Sequence, residues 1–267
     1  INNQSSMRAE KLFKLVTPNV NIVKNILTAE LTKLIDNSQR DVLFAYANEI
    51  AEICNDFDIS ANEVLNAAAL NYPRTKLLLP GPVGGPCLTK DSHLLLSNLK
   101  KERKNKSIIS SARSINESLH LTCFNYLKRK YKIQFKTKKI TLCFLGIAFK
   151  GNPITDDIRG SIVHEITNIF RENVDLKVIK AYDPNVKEID FKNLNIKKIK
   201  SLEILFRDAN VVIILNNNKE FKNLNIEKLS NKMGDWGIIY DFWGNFDNTN
   251  MNINKKIKYT SYGSHQL

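Results

Sequence analysis

Ile140-Thr141-Leu142-Cys143-Phe144-Leu145-Gly146-Ile147-Ala148-Phe149-Lys150 decides the fold. Residues 140–148 read as an apolar strand, and the pattern that follows repeats strand and helix in turn. Ser161–Phe170 is amphipathic at helical spacing, Val178–Tyr182 is a strand, Leu202–Phe206 a short helix and Val211–Leu215 a buried strand. Gly237–Asp241 and Lys258–Tyr262 supply two further strands. Strands alternating with helices predict an α/β unit, a Rossmann-like doubly wound parallel sheet. In such sheets ligands bind beyond the carboxyl ends of the strands, which draws attention to Phe149-Lys150-Gly151.

Upstream of Lys138 the periodicity is different. Leu31, Leu34, Ile35, Val42, Ala45, Ile50 and Ile53 recur at helical spacing, predicting a long helix from Thr28 to about Phe57. Ser60-Ala61-Asn62-Glu63 is a capping box for a helix ending near Leu70, ahead of Pro73. Helices follow around Ser92–Lys100 and Ile108–Lys130. The expected division is therefore 1–24 as the tail of an α/β unit (helix Ser6–Val16, strand Val20–Val23), 25–131 as a helical domain, and 132–267 as the sheet domain. Lys132–Lys139 is the expected boundary segment.

Composition narrows the class. The 267 residues carry a formal charge of +13, but the lysines are dispersed and mixed with asparagines, notably in Phe191–Lys200 and Asn216–Asn231. That reads as solvated faces, and no helix-turn-helix, zinc-finger or aromatic RNA platform accompanies it, so a nucleic-acid partner is not expected. No apolar run approaches a membrane span, and no membrane partner is expected. Cys54, Cys123 and Cys143 sit in apolar patterns and read as core residues, which fits a reducing cytoplasm. His93, His120, His164 and His265 have no ligand spacing, so no metal is expected.

The remaining cysteine has a different setting. Pro80-Gly81-Pro82-Val83-Gly84-Gly85-Pro86-Cys87-Leu88-Thr89-Lys90-Asp91 places glycines, which allow close backbone approach, among prolines, which stiffen it. A cation and an acid beside a thiol suit a thiolate nucleophile. Other residues admit plainer readings on their own. Lys33 and Asn37 share a helix face with Arg40 that is explained by solvent alone. Asp91 is explained as a helix N-terminal acid, Arg74 as a loop residue, Lys150 as a solvated strand end and Asp183 as a turn residue. No glycines are spaced as G-x-G-x-x-G, so the chain carries no complete dinucleotide fingerprint.

In order along the chain, Thr28–Val42, Ala47-Asn48-Glu49, Asn71-Tyr72-Pro73-Arg74, Gly84–Asp91, Leu145–Lys150 and Thr155–Arg159 together resemble the UDP-glucose/GDP-mannose dehydrogenase family. These are NAD-dependent nucleotide-sugar 6-dehydrogenases. The resemblance implies oxidation of a sugar C6 alcohol to a carboxylate, with Cys87 as the nucleophile that forms a thiohemiacetal and then a thioester. It implies Lys33 as oxyanion stabiliser, Asn37 as its companion, and Asp91 as the acid that positions or activates water. It also implies sugar-nucleotide contacts at Gly81, Gly84, Phe149, Lys150 and Arg74, with Arg74 acting across a homodimer built on the long helix. Lys90 and Arg159 would contact NAD. Arg40-Asp41-Val42 and Tyr72-Pro73-Arg74 resemble the N-acetylhexosamine branch, implying a UDP-N-acetylhexosamine. Four departures stand out. The amino-terminal NAD-binding domain is expected to be missing from this fragment. The stretch from Arg74 to Cys87 is about one residue short, and that from Lys150 to Arg159 about two long. Asp241-Phe242-Trp243 stands where many members follow the aspartate with an arginine. A catalytically inactive nucleotide-sugar-binding or dimerisation module is the alternative expectation.

Overall fold

The structure, a computed structural model, describes residues 3–246 except 73, 75 and 98, together with 253 and 256–264. Its first part is helical: α1 (Asn3–Phe13), α2 (Ile26–Asp56), α3 (Ala61–Ala69), α4 (Leu88–Ser97), α5 (Lys101–Asn105), α6 (Ile108–Glu117), α7 (Leu119–Lys130) and α8 (Lys132–Thr137). The 31-residue α2 is the spine, against which α4 and α6 pack. Asn25 caps it by accepting from the Thr28 N–H, and Ser60 caps α3 by accepting from the Glu63 N–H.

The second part alternates as its apolar pattern predicts: β1 (Ile140–Leu145), α9 (Val163–Asn173), β2 (Leu176–Tyr182), α10 (Glu188–Asn193), β3 (Lys197–Lys198), α11 (Leu202–Phe206), β4 (Val211–Ile214), α12 (Ile226–Ser230), β5 (Gly237–Asp241) and β6 (Ile257–Ser261). All neighbouring strands are parallel, in the order β3-β2-β1-β4-β5-β6. Leu142 and Phe144 of β1 enter one core and Cys143 and Leu145 the opposite one, because successive side chains point to opposite faces. Every residue of β1 is buried, as expected for a parallel sheet covered on both sides. On one face Phe170 of α9 meets Phe124 of α7 edge-on at 5.2 Å and Phe135 of α8 at 5.9 Å. The helical part thus supplies one layer of the sheet's own core.

Local expectations needed revision in several places. Val20–Val23 forms no strand, having no neighbour to share a hydrogen-bonded ladder among the described residues. Ile108–Lys130 is broken at Ser118, which ends α6 and whose hydroxyl donates to the Ile115 carbonyl. Lys132–Lys139 contains α8, held by burial of Phe135. The asparagines after β4 are not a solvated face: Asn216 and Asn218 are each 2% exposed. His265 and the end of the chain beyond it lie outside the described residues.

Candidate active site

The strand order reverses between β1 and β4, so the crevice at their carboxyl ends is where an open α/β sheet receives a ligand. Gly146 leaves β1 with φ +76° and the Asn216 side chain against its Cα, a position with no room for a Cβ. Asp183, at the end of β2, is more than a turn residue. Its buried carboxylate accepts from the N–H groups of Ile147 at 2.8 Å and Ala148 at 3.1 Å, which fixes the loop carrying Phe149 and Lys150. Asn217, after β4, accepts from the N–H groups of Gly151 and Asn152 at 2.9 and 3.0 Å.

Over this crevice lies the glycine–proline loop. Gly85, at φ +95°, donates its N–H to the Arg159 carbonyl at 3.1 Å. A Cβ there would stand 2.7 Å from the Phe149 ring. Gly84 lies against the Gly160 carbonyl, and Gly81 lies under the Trp243 ring. The loop therefore rests its backbone on the sheet domain, which requires glycine at the contact points. Between the two parts opens a cleft of about 520 Å³, lined among others by Lys33, Asn37, Gly84, Cys87, Phe149 and Lys150.

The chemistry gathers at the start of α4. Cys87 is the exposed thiol, whereas Cys54, Cys123 and Cys143 are buried. Burial pushes the Cys143 thiol up to about 12 and raises that of Cys123 well above the usual thiol range, which disfavours the reactive thiolate at both. The Cys87 carbonyl accepts from the Asp91 N–H at 2.9 Å, placing the acid one turn beyond the thiol. Asp91 is 2% exposed and accepts from Lys90 Nζ and from Asn37 Nδ2, each at 2.5 Å. The Lys90 bond first, then that of Asn37 and the charge of Lys33, hold its carboxyl below the usual range. Lys33 lies one helical turn before Asn37 and lines the same cleft.

Not every expected residue converges. Arg159 is exposed and its guanidinium grips Asp157, with Nη2–Oδ2 at 2.7 Å. Lys90, Asp91, Arg159 and Gly81 do not line the cleft. Arg74 is exposed and does not line this cleft. Conversely, Arg40, Phe44, Asn217 and Trp243 line it without having been singled out as site residues. The Trp243 indole N–H donates to the Leu215 carbonyl at 2.9 Å, locking the ring in place. Asn217 was legible only as the residue just past a strand at the switch point, and its Asn-rich surroundings masked it.

Comparison with known proteins assigns both parts. Residues 27–118 match the UDP-glucose/GDP-mannose dehydrogenase family, central domain, and residues 143–248 match the UDP binding domain of the same family. The chain belongs to the UDP-glucose/GDP-mannose dehydrogenase family. Members of this family are NAD-dependent nucleotide-sugar dehydrogenases. The chain is 33% identical over 235 residues to the UDP-N-acetyl-D-mannosamine dehydrogenase of Pyrococcus horikoshii, matching 87% of this chain and 52% of that protein. It is 33% identical over 225 residues to the Campylobacter jejuni enzyme of the same name, matching 83% of this chain and 53% of that one. The solved UDP-D-ManNAc dehydrogenase of Pyrococcus horikoshii superposes with a TM-score of 0.80 at 30% identity, covering 98% of this chain and 58% of the other. The chain spans about half the length of the curated relatives it matches. Its family membership thus rests on the central and UDP-binding domains.

Proposed function

We propose that this chain is the part of a UDP-N-acetylhexosamine 6-dehydrogenase that holds the sugar nucleotide and carries the covalent chemistry. The observation that carries the reading is the meeting of Lys33, Asn37 and Cys87 at one cleft, with the buried Asp91 behind it joined to Asn37 by a 2.5 Å hydrogen bond. The UDP-binding domain match and the names of the relatives support the substrate class.

Phe149, Lys150 and the backbone at Gly84 hold the nucleotide against the crevice, with Arg40 and Lys150 supplying positive charge for the diphosphate. The exposed ammonium of Lys90 and guanidinium of Arg159 beside the thiol fit the polar and anionic groups of NAD and would hold it there. Bound there, NAD would supply the hydride acceptor for both oxidations. Cys87 Sγ adds to the C6 aldehyde, forming a C–S bond, and retains the intermediate until water displaces the thiol and releases the carboxylate. Lys33 stabilises the oxygen charge that develops in this addition. A carboxyl held below its usual range is a weak base, so Asp91 orients water and keeps Lys90 and Asn37 in place rather than abstracting a proton. We further propose a homodimer through α2. Ile35, Tyr46, Ile53 and the adjoining Phe57 share one helical face and are 54%, 50%, 44% and 71% exposed, and Arg74 would serve the partner's cleft.

The test is capture of a UDP-N-acetylhexosamine 6-aldehyde by Cys87, read as loss of iodoacetamide labelling, alongside calorimetric titration with UDP. Capture together with UDP binding is the expected result. UDP binding with no capture favours the inactive binding module, and absence of both overturns the assignment.

A further inference from the structure

We propose that Asp41 is the positioning residue of the Cys87 loop, one buried carboxylate that pins both ends of the loop together. Asp41 lies one turn beyond Asn37 on α2 and is 0% exposed. At the far end of the loop, Arg113 Nη1 donates to Asp41 Oδ1 at 2.8 Å and to the Leu88 carbonyl at 3.2 Å. The Ser92 hydroxyl donates to the other carboxylate oxygen at 3.0 Å, tying down the first turns of α4. At the near end the connection runs through two asparagines. Asn116 Nδ2 donates to Asp41 Oδ1 at 2.8 Å and to its main-chain carbonyl at 2.9 Å. Asn48 Nδ2 donates to Asn116 Oδ1 at 2.9 Å. Asn48 also brackets Gly81, accepting from its N–H at 2.8 Å and donating to its carbonyl at 3.2 Å.

Between these anchors run residues 82–87, where Pro82 and Pro86 remove much of the remaining backbone freedom. With both ends fixed, the thiol has little latitude relative to Asp91 and the cleft. Asp41, Asn48, Arg113 and Asn116 do not themselves line that cleft, so their contribution acts through the loop. Such networks in protein interiors can often be exchanged for apolar side chains at little loss. Here the exchange would orphan the Leu88 carbonyl bond and both backbone groups of Gly81, which makes the polar solution specific to this loop. The catalytic consequence rests on Cys87 being the nucleophile; the pinning does not.

Hydrogen exchange of assigned amides in the full chain separates the two ends. Asn48→Ala should speed exchange at Gly81 by about tenfold and leave Lys90 and Asp91 unchanged, since one lost bond of this kind is enough for that factor. Arg113→Met should do the reverse, and Asp41→Asn should speed both. Asp41→Asn moving one end or neither overturns the proposal. Should that variant fail to fold, the single-end variants decide: each must loosen its own end, and either one leaving its end unchanged overturns the idea. A further readout distinguishes positioning from damage. In Asn48→Ala, Cys87 capture of the sugar aldehyde should fall about tenfold while the UDP dissociation constant stays within about twofold; equal losses in both overturn the role. If the unaltered chain captures no aldehyde, the enzymatic reading fails and the exchange data alone judge the pinning.

Discussion

Asp91 offers the sharpest test at the scale of a residue, because its carboxyl is held below the ordinary value near 3.8 by Lys90 and Asn37. A folded-state value below the unfolded one contributes stability that is present above the unfolded value and lost as pH falls through the folded one. Asp91→Asn should therefore flatten the acid limb: between about pH 4 and the lowered value, the wild type should lose melting temperature faster than the variant. Thermal scans at stepped pH decide it, and parallel slopes would refute it. Lys33→Ala should slow Cys87 addition to the sugar aldehyde by roughly 10²-fold, the usual cost of one lost oxyanion donor, with UDP binding retained. Stopped-flow labelling competition measures it. At this scale the sequence was informative wherever chemistry is local. Cys87, Lys90 and Asp91 lie within one turn, and Lys33 and Asn37 are a turn apart, so spacing alone groups each set. It was silent on Arg113 and Asn116 and offered Asn48 only as part of the Ala47-Asn48-Glu49 resemblance with no role, because their partners lie tens of residues away and their identities are common in any helix.

Elements carry a different kind of constraint. Gly85→Ala would put a Cβ into a residue at φ +95° and 2.7 Å from the Phe149 ring, so both strain and clash oppose it. We expect a loss of about 1–3 kcal/mol in stability, with weakened UDP binding, measured by denaturant titration and calorimetry. Phe170→Ala should cost about 3–5 kcal/mol, since the ring is 0% exposed and edge-packed on Phe124 and Phe135. The strands were readable because burial on both faces leaves an apolar run with no competing interpretation. The two-residue β3 was not, as Lys197-Lys198 has no apolar signal and pairs only because β2 offers a free edge. The division of Ile108–Lys130 at Ser118 was hidden for a related reason: the apolar spacing runs on across the residue that separates the two helices.

The whole molecule behaves as one packed body rather than two tethered ones. Ala51, Cys54 and Ala61 of the helical part share a core cluster with Phe144, Ile213 and Tyr240 of the sheet. The Tyr262 hydroxyl donates to the Asn48 carbonyl at 3.1 Å, joining the turn after β6 to α2. We expect a single unfolding transition, with tryptophan fluorescence and far-UV circular dichroism tracing coincident curves in urea; separated midpoints would show that the parts unfold independently. The seam between the parts has a consequence for loop length. Because the Gly85 N–H is bonded to the Arg159 carbonyl and Gly84 lies on Gly160, the stretch ending at Cys87 and the stretch ending at Arg159 are two banks of one channel. On the family resemblance, the first is expected to be about one residue short and the second about two long. A bank that recedes leaves a gap which the opposite bank must fill, so trimming the 150–159 stretch alone should widen the channel, and restoring the missing residue upstream should close it again.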